Sequence, residues 1–146
     1  MKKVEWLSQR CDPQTLRAEQ LMEDAVKTCL PQDIALTVAH ILYDGNYGSL
    51  PVVDEANTLE GLVTEFDLLK VIDGGQDLRT TPVSTIMNPE VRTVTPSTPF
   101  KDILQLLQRH HLIRVPVVKG KTLVGILARR DIILGFIKAT DVGSGG

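Results

Sequence analysis

The chain has 146 residues, 42% apolar and 23% charged, with a formal net charge of −2. That is enough apolar material for one compact domain, or two small ones sharing a core. The slight acidic balance excludes a globally basic surface for nucleic acid or an anionic membrane. No apolar run approaches the roughly 20 residues that span a bilayer. The segment MKKVEWLSQRCDP has the lysines of a signal peptide without its apolar middle. The expectation is a cytoplasmic protein with no membrane partner, or a soluble region of a larger one. Cys11 and Cys29 form no CxxC pattern and read as free thiols.

Residues 1–17 stand apart as an arm or helix carrying Val4, Trp6 and Leu7, broken at Cys11-Asp12-Pro13. From Ala18 onward the chain repeats itself. At an offset of 65, Ala18 to Val53 falls on Val83 to Val118 without a gap, with eight identities in 36 positions. Met22 meets Met87, Thr28 meets Thr93, and Pro51-Val52-Val53 meets Pro116-Val117-Val118. The next loop is one residue shorter, so at an offset of 64 Gly61 meets Gly125 and Asp67 meets Asp131. The expected organisation is a first repeat over 18–75, a linker over 76–82, a second repeat over 83–140 and a disordered glycine-rich tail over 141–146.

Each repeat predicts the same elements. In the first, Ala18-Leu21-Met22 is a short helical lead-in and Val26 to Cys29 a short strand. Asp33 is placed to cap a helix carrying Ile34, Val38, Ile41 and Leu42 on one face, which Gly45 to Gly48 ends. Leu50 to Val53 and Leu59 to Val63 are apolar strands. A closing helix carries Leu68, Leu69 and Ile72 and stops at Gly74-Gly75. In the second repeat Val91 to Val94 is the strand, and Thr98 caps a helix with Pro99 at its first position. Val115 to Val118 and Leu123 to Leu127 form a hairpin across Lys119-Gly120-Lys121, followed by a helix through Ile132 to Ile137.

The order h-P-V-V, polar loop, G-h-h-x-x-x-D and closing helix, present twice, resembles tandem CBS motifs paired as a Bateman module, over about residues 18–140. The resemblance implies an α/β (α+β) fold of two pseudo-symmetric β-α-β-β-α motifs packed sheet to sheet. It also implies a regulatory module that takes an adenine nucleotide (AMP, ADP or ATP) or S-adenosylmethionine in clefts between the motifs, and a disc-like homodimer. Such a ligand would be regulatory, with no cofactor required. The family's ligand motif, G-h-x-[ST]-x-x-D, is complete at Gly61-Leu62-Val63-Thr64-Glu65-Phe66-Asp67. The chemistry suits a nucleoside: an ionised carboxylate is acceptor-only and matches paired ribose hydroxyls, and a helix N-terminus favours an anion. The second copy, Gly125 to Asp131, has Ala128 in place of the hydroxyl. Basic charge gathers there instead, at Arg114, Arg129 and Arg130, and Arg114 is placed to meet a phosphate. Thr28 and Thr93 lie by position where adenine would need a wall.

Plainer readings stand beside these. Thr64-x-x-Asp67 is also a capping box. Asp131 suits a helix first turn on dipole grounds alone. Arg114 fits a solvent-facing strand position, and Arg129 and Arg130 a solvated turn or a salt bridge to Asp131. His110-His111 lacks a third ligand at suggestive spacing, so no metal site is expected. GxSxG, HExxH and GxxxxGK[ST] are all absent, so an enzyme is not expected. The competing function is a protein-interaction or dimerisation module without nucleotide, acting on an unidentified regulated protein.

Overall fold

The structure, a computed structural model, describes residues 12–141, and of Asp141 the backbone only. The expected arm through Trp6 and Cys11 and the expected glycine-rich tail lie outside the described residues. Two compact units emerge. The first unit comprises Lys27–Val91 and Lys121–Leu123; the second comprises 12–26, Arg92–Gly120 and 124–141.

In the first unit, helix α2 (Ala35–Gly45) leads to an antiparallel pair, β1 (Ser49–Val53) and β2 (Leu59–Thr64), and then to helix α3 (Glu65–Asp73). The α2 helix ends on Asn46 in the left-handed conformation at φ 54°, as the Gly-Asn-rich stop predicts. Strand β1 is buried at all five positions, LPVV included. Cys29, Val38, Leu42, Leu50, Val52, Val63, Leu68 and Val83 fuse into one apolar cluster. Helix-period positions from α2 and α3 thus meet strand-period positions from β1 and β2.

The second unit repeats the plan. Helix α4 (Phe100–Arg109) precedes the hairpin β3 (Arg114–Lys119) and β4 (Thr122–Ala128), and helix α5 (Arg129–Asp141) closes it. Gly120 sits at φ +65° in the tight β3–β4 turn, where only glycine is unstrained. The cluster here is Val94, Phe100, Ile103, Leu107, Val115, Val117, Leu127 and Ile132, together with Leu16, Ala18 and Leu21. The last three belong to the lead-in of the first repeat, Leu16 and the short helix α1 (Ala18–Leu21).

The lead-ins are therefore exchanged in space. Leu16 O accepts the Phe100 N–H at 2.9 Å, and Thr81 O accepts the Ala35 N–H at 2.8 Å. Leu16 and Thr81 are 65 residues apart in sequence, as are Ala35 and Phe100. The start of each long helix is thus satisfied by a carbonyl from the other repeat's lead-in, which supplies a partner for orphan amides. The expected cap residues do a different job. Asp33 accepts from Leu30 N–H at 2.8 Å, and Thr98 Oγ1 accepts from Thr95 N–H at 2.9 Å. Both fold back to close the preceding turn, as short polar side chains do, and the helices begin two residues later.

Two predicted strands shrink. Instead of a strand over Val26 to Cys29, a single parallel bridge joins Cys29 to Val52, and a single bridge joins Val94 to Val117. Pro31 and Pro96 turn the chain away two residues on, so only one residue of each stays in register.

Candidate functional site

In the first unit the site grows from the end of β2. The β1–β2 ladder terminates at the pair Ser49 and Thr64. The chain passes from strand to helix with no loop, so Thr64 is both the last strand residue and the N-cap of α3, extended at φ −121°, ψ 168°. Its N–H donates to Asp67 Oδ2 at 2.8 Å, its hydroxyl donates to the same oxygen at 3.1 Å, and the Asp67 N–H donates to Thr64 Oγ1 at 3.3 Å. The capping box is complete. All of this falls on Oδ2; among the described residues no hydrogen bond goes to Oδ1 of this half-buried carboxylate. The Glu65 N–H is taken by Gly48 O at 3.2 Å, which fixes the direction in which α3 leaves.

Gly61 sits behind this turn. A Cβ there would lie 2.8 Å from Met87 Sδ and 2.9 Å from Asn88 O. Leu62 and Asn88 exchange backbone hydrogen bonds at 3.0 and 2.9 Å. The glycine thus admits a neighbouring segment of backbone, a close approach that any side chain would block. Thr28 is half-buried beside the Cys29 bridge. Cys29 itself is buried, and burial first, then the nearby Asp33 carboxylate, pushes its thiol up to about 12.

The second unit builds the same turn from different side chains. Arg114 opens β3 and Ala128 closes β4, at one end of the hairpin. Asp131 Oδ2 accepts from the Ala128 N–H at 2.8 Å, the same bond at the same length as in the first unit. The Arg129 N–H donates to Ile113 O at 2.9 Å, matching Glu65 to Gly48. Asp131 is only 8% exposed, and Arg114 is half-buried. A Cβ on Gly125 would meet Met22 Sδ and lie 3.0 Å from Glu23 O. Met22 and Met87, aligned by the repeat, are half-buried wedges, each on the hairpin glycine of the opposite repeat.

The remaining sequence candidates separate. Arg129 and Arg130 are exposed in the first turn of α5, and Arg129 lines a groove with His111 between α4 and α5. Thr93 is exposed beside the Val94 bridge. His110 is held below the usual imidazole range by desolvation first and then by Arg92, Arg109 and His111. No group of three potential metal ligands occurs among the described residues. No described helix is long and apolar enough to cross a membrane. Ser49 was not singled out by its sequence. It is buried and pairs with Thr64, and its alignment with Arg114 is the signal that marks its place.

A duplicated hairpin-helix unit, each copy holding an aspartate on the amide of the strand-to-helix turn, defines a tandem-repeat protein of the α+β class. The chain belongs to the CBS-domain family, whose pattern matches residues 18–74 and 83–138. It is 32% identical over 124 residues to the CBS domain-containing protein YhcV of Bacillus subtilis, covering 84% of this chain and 87% of that one. CBSX2 in complex with AMP superposes with a TM-score of 0.73 at 28% identity, over 80% of this chain and 92% of that one. The hexameric CBS-CP12 protein from bloom-forming cyanobacteria superposes with a TM-score of 0.70 at 29% identity, over 84% and 72%.

Proposed function

We propose that this chain is a regulatory module that binds an adenosine-containing ligand at its strand-to-helix turns. The observation that carries the reading is the division of labour within Asp67: Oδ2 is committed to Thr64, and Oδ1 is left to accept from a ligand. Two vicinal ribose hydroxyls suit such an acceptor-only group. The AMP bound by the similar protein CBSX2 supports the ligand class. Thr64 then acts on the carboxylate rather than on the ribose, since its hydroxyl already donates to Asp67. On this reading Ala128 removes a hydroxyl brace from the second turn and leaves the backbone bond to Asp131 unchanged. Arg114, beside that second turn, is the residue for a phosphate, with Arg130 as an outer cation.

Binding regulates only if it favours one arrangement of the module over another. Titration calorimetry with adenosine, AMP, ADP, ATP and S-adenosylmethionine tests the proposal. At least one is expected to bind and to raise the melting temperature. No binding of any at millimolar concentration refutes it.

The second reading, an association module without nucleotide, draws on exposed apolar helix faces such as Phe66, Leu69 and Ile72 on α3. It predicts an unaltered association state with every nucleotide and no ligand effect of changing Asp67.

A further inference from the structure

The second unit carries a cluster of cations beside an apolar groove, at the C-terminal end of α4. Arg92, Arg109, His111 and Arg129 are exposed. The charged neighbours acting on His110 are Arg92, Arg109 and His111, and no carboxylate is among them. Among the described residues none of the three arginines has an ion-pair partner. The described carboxylates of α4 and α5 lie elsewhere. Asp102 is seven residues from Arg109, about 10 Å along the helix, and Asp131 is buried on the Ala128 amide. The groove, about 340 Å³ between α4 and α5, has buried Leu107 and Ile132 at its floor and exposed His111, Arg129 and Ile133 around it.

The first repeat is an internal control. Asp44 stands there in place of Arg109, Gly45 in place of His110, Asn46 in place of His111 and Glu65 in place of Arg129. The same helix pair and a comparable groove form without those cations, so the fold does not require them. Like charges gathered without partners are destabilising, and an opposite charge from outside the chain removes that penalty.

We propose that the α4–α5 groove docks an acidic, apolar segment of another protein, its aliphatic side chains on Leu107 and Ile132 and its carboxylates on Arg109, His111 and Arg129. Simpler partners meet half of these requirements. A polyphosphate or nucleic acid pairs the arginines but has no aliphatic side chain for the floor, and a purely apolar helix leaves the cations unpaired. One helix or strand laid along the groove presents both kinds of side chain, and a guanidinium fork suits a carboxylate's two oxygens. The inference stands apart from the nucleotide reading, since it uses neither Asp67 nor Arg114.

Panning a display library of random short peptides against the folded chain tests it. Enriched sequences are expected to set Asp or Glu about three or four residues from Leu, Ile or Phe. A synthetic peptide of the enriched sequence, followed by fluorescence anisotropy, should bind at least about tenfold more weakly to the Arg109→Asp, Arg129→Glu double variant and to Ile133→Ser. The double variant takes the first repeat's own residues at both positions, which keeps a folding defect from imitating the result. The same peptide with lysine for each acid should prefer the double variant to wild type. A library that yields no binder overturns the proposal, as do enriched acids without aliphatics or equal affinity for wild type and the double variant. Inorganic polyphosphate binding more tightly than any enriched peptide also overturns it. So does a dimer of the chain, seen by sedimentation velocity, that excludes the peptide, because a second copy would then be the occupant.

Discussion

Replacing Asp67 with alanine separates its two roles. As a cap, Asp67 accepts the Thr64 N–H and hydroxyl and is the N3 partner of the box. Loss of a cap costs about 1 kcal/mol, which in a domain of this size lowers the melting temperature by about 4 °C. As a ligand group, Asp67 would accept from two ribose hydroxyls, and hydrogen bonds to a charged partner contribute about 1.5–3 kcal/mol each. Losing both weakens affinity at least a hundredfold. The two costs are read in different experiments. Thermal unfolding of the ligand-free chain gives the first, and calorimetric titration with the best-binding nucleotide at a temperature well below melting gives the second. Thr64→Val is the companion variant: it removes the hydroxyl from the box but leaves the backbone bond, so stability should fall while affinity changes by less than about tenfold. A variant Asp67→Ala that melts lower yet binds with wild-type affinity would make Asp67 a cap and nothing more, and would refute the ribose assignment.

Three further outcomes are expected. Arg114→Gln should weaken AMP, ADP or ATP more than adenosine, because only the phosphate needs the guanidinium fork; equal losses in calorimetry would remove Arg114 from the phosphate. Gly61→Ala should destabilise the fold by about 1–3 kcal/mol in chemical denaturation. Adding Met87→Ala should restore only part of that, because the Asn88 carbonyl is a backbone atom 2.9 Å from the new methyl. Cys29, in a Cys11→Ser background, should resist thiol reagents at neutral pH and react only as the chain unfolds. Its thiol pKa lies at about 12 in the fold against 9.0 for the ordinary group. The folded state therefore holds its proton more tightly, so this stabilisation is present below pH 9.0 and is lost as pH rises towards about 12. Labelling of Cys29 faster than global opening would contradict that burial.

The duplicated order of elements was legible because helix and strand periods write themselves into local sequence. The hairpins, the closing helices and the capping box at Thr64 and Asp67 all follow from spacing within a few residues. The caps at Asp33 and Thr98 were less legible. Each has a suitable oxygen for either the helix ahead or the turn behind, and a distant carbonyl from Thr81 or Leu16 had already supplied the helix start. The predicted strands at Cys29 and Val94 were overdrawn because β-rich composition does not reveal how many residues find a partner.

Sequence alone determined that this chain is two copies of one hairpin-helix unit, with the full G-h-x-[ST]-x-x-D pattern in the first copy and basic residues in the second. Tertiary structure decided which lead-in serves which core. Met22 wedges on Gly125 and Met87 on Gly61, yet both repeats present the same methionine and the same glycine. Local pattern cannot choose between two equivalent partners; only packing between segments far apart in the chain does. Tertiary structure also showed that Asp67 braces its turn with one oxygen and keeps the other. A four-residue motif cannot reveal that, because which oxygen is used depends on how the turn closes.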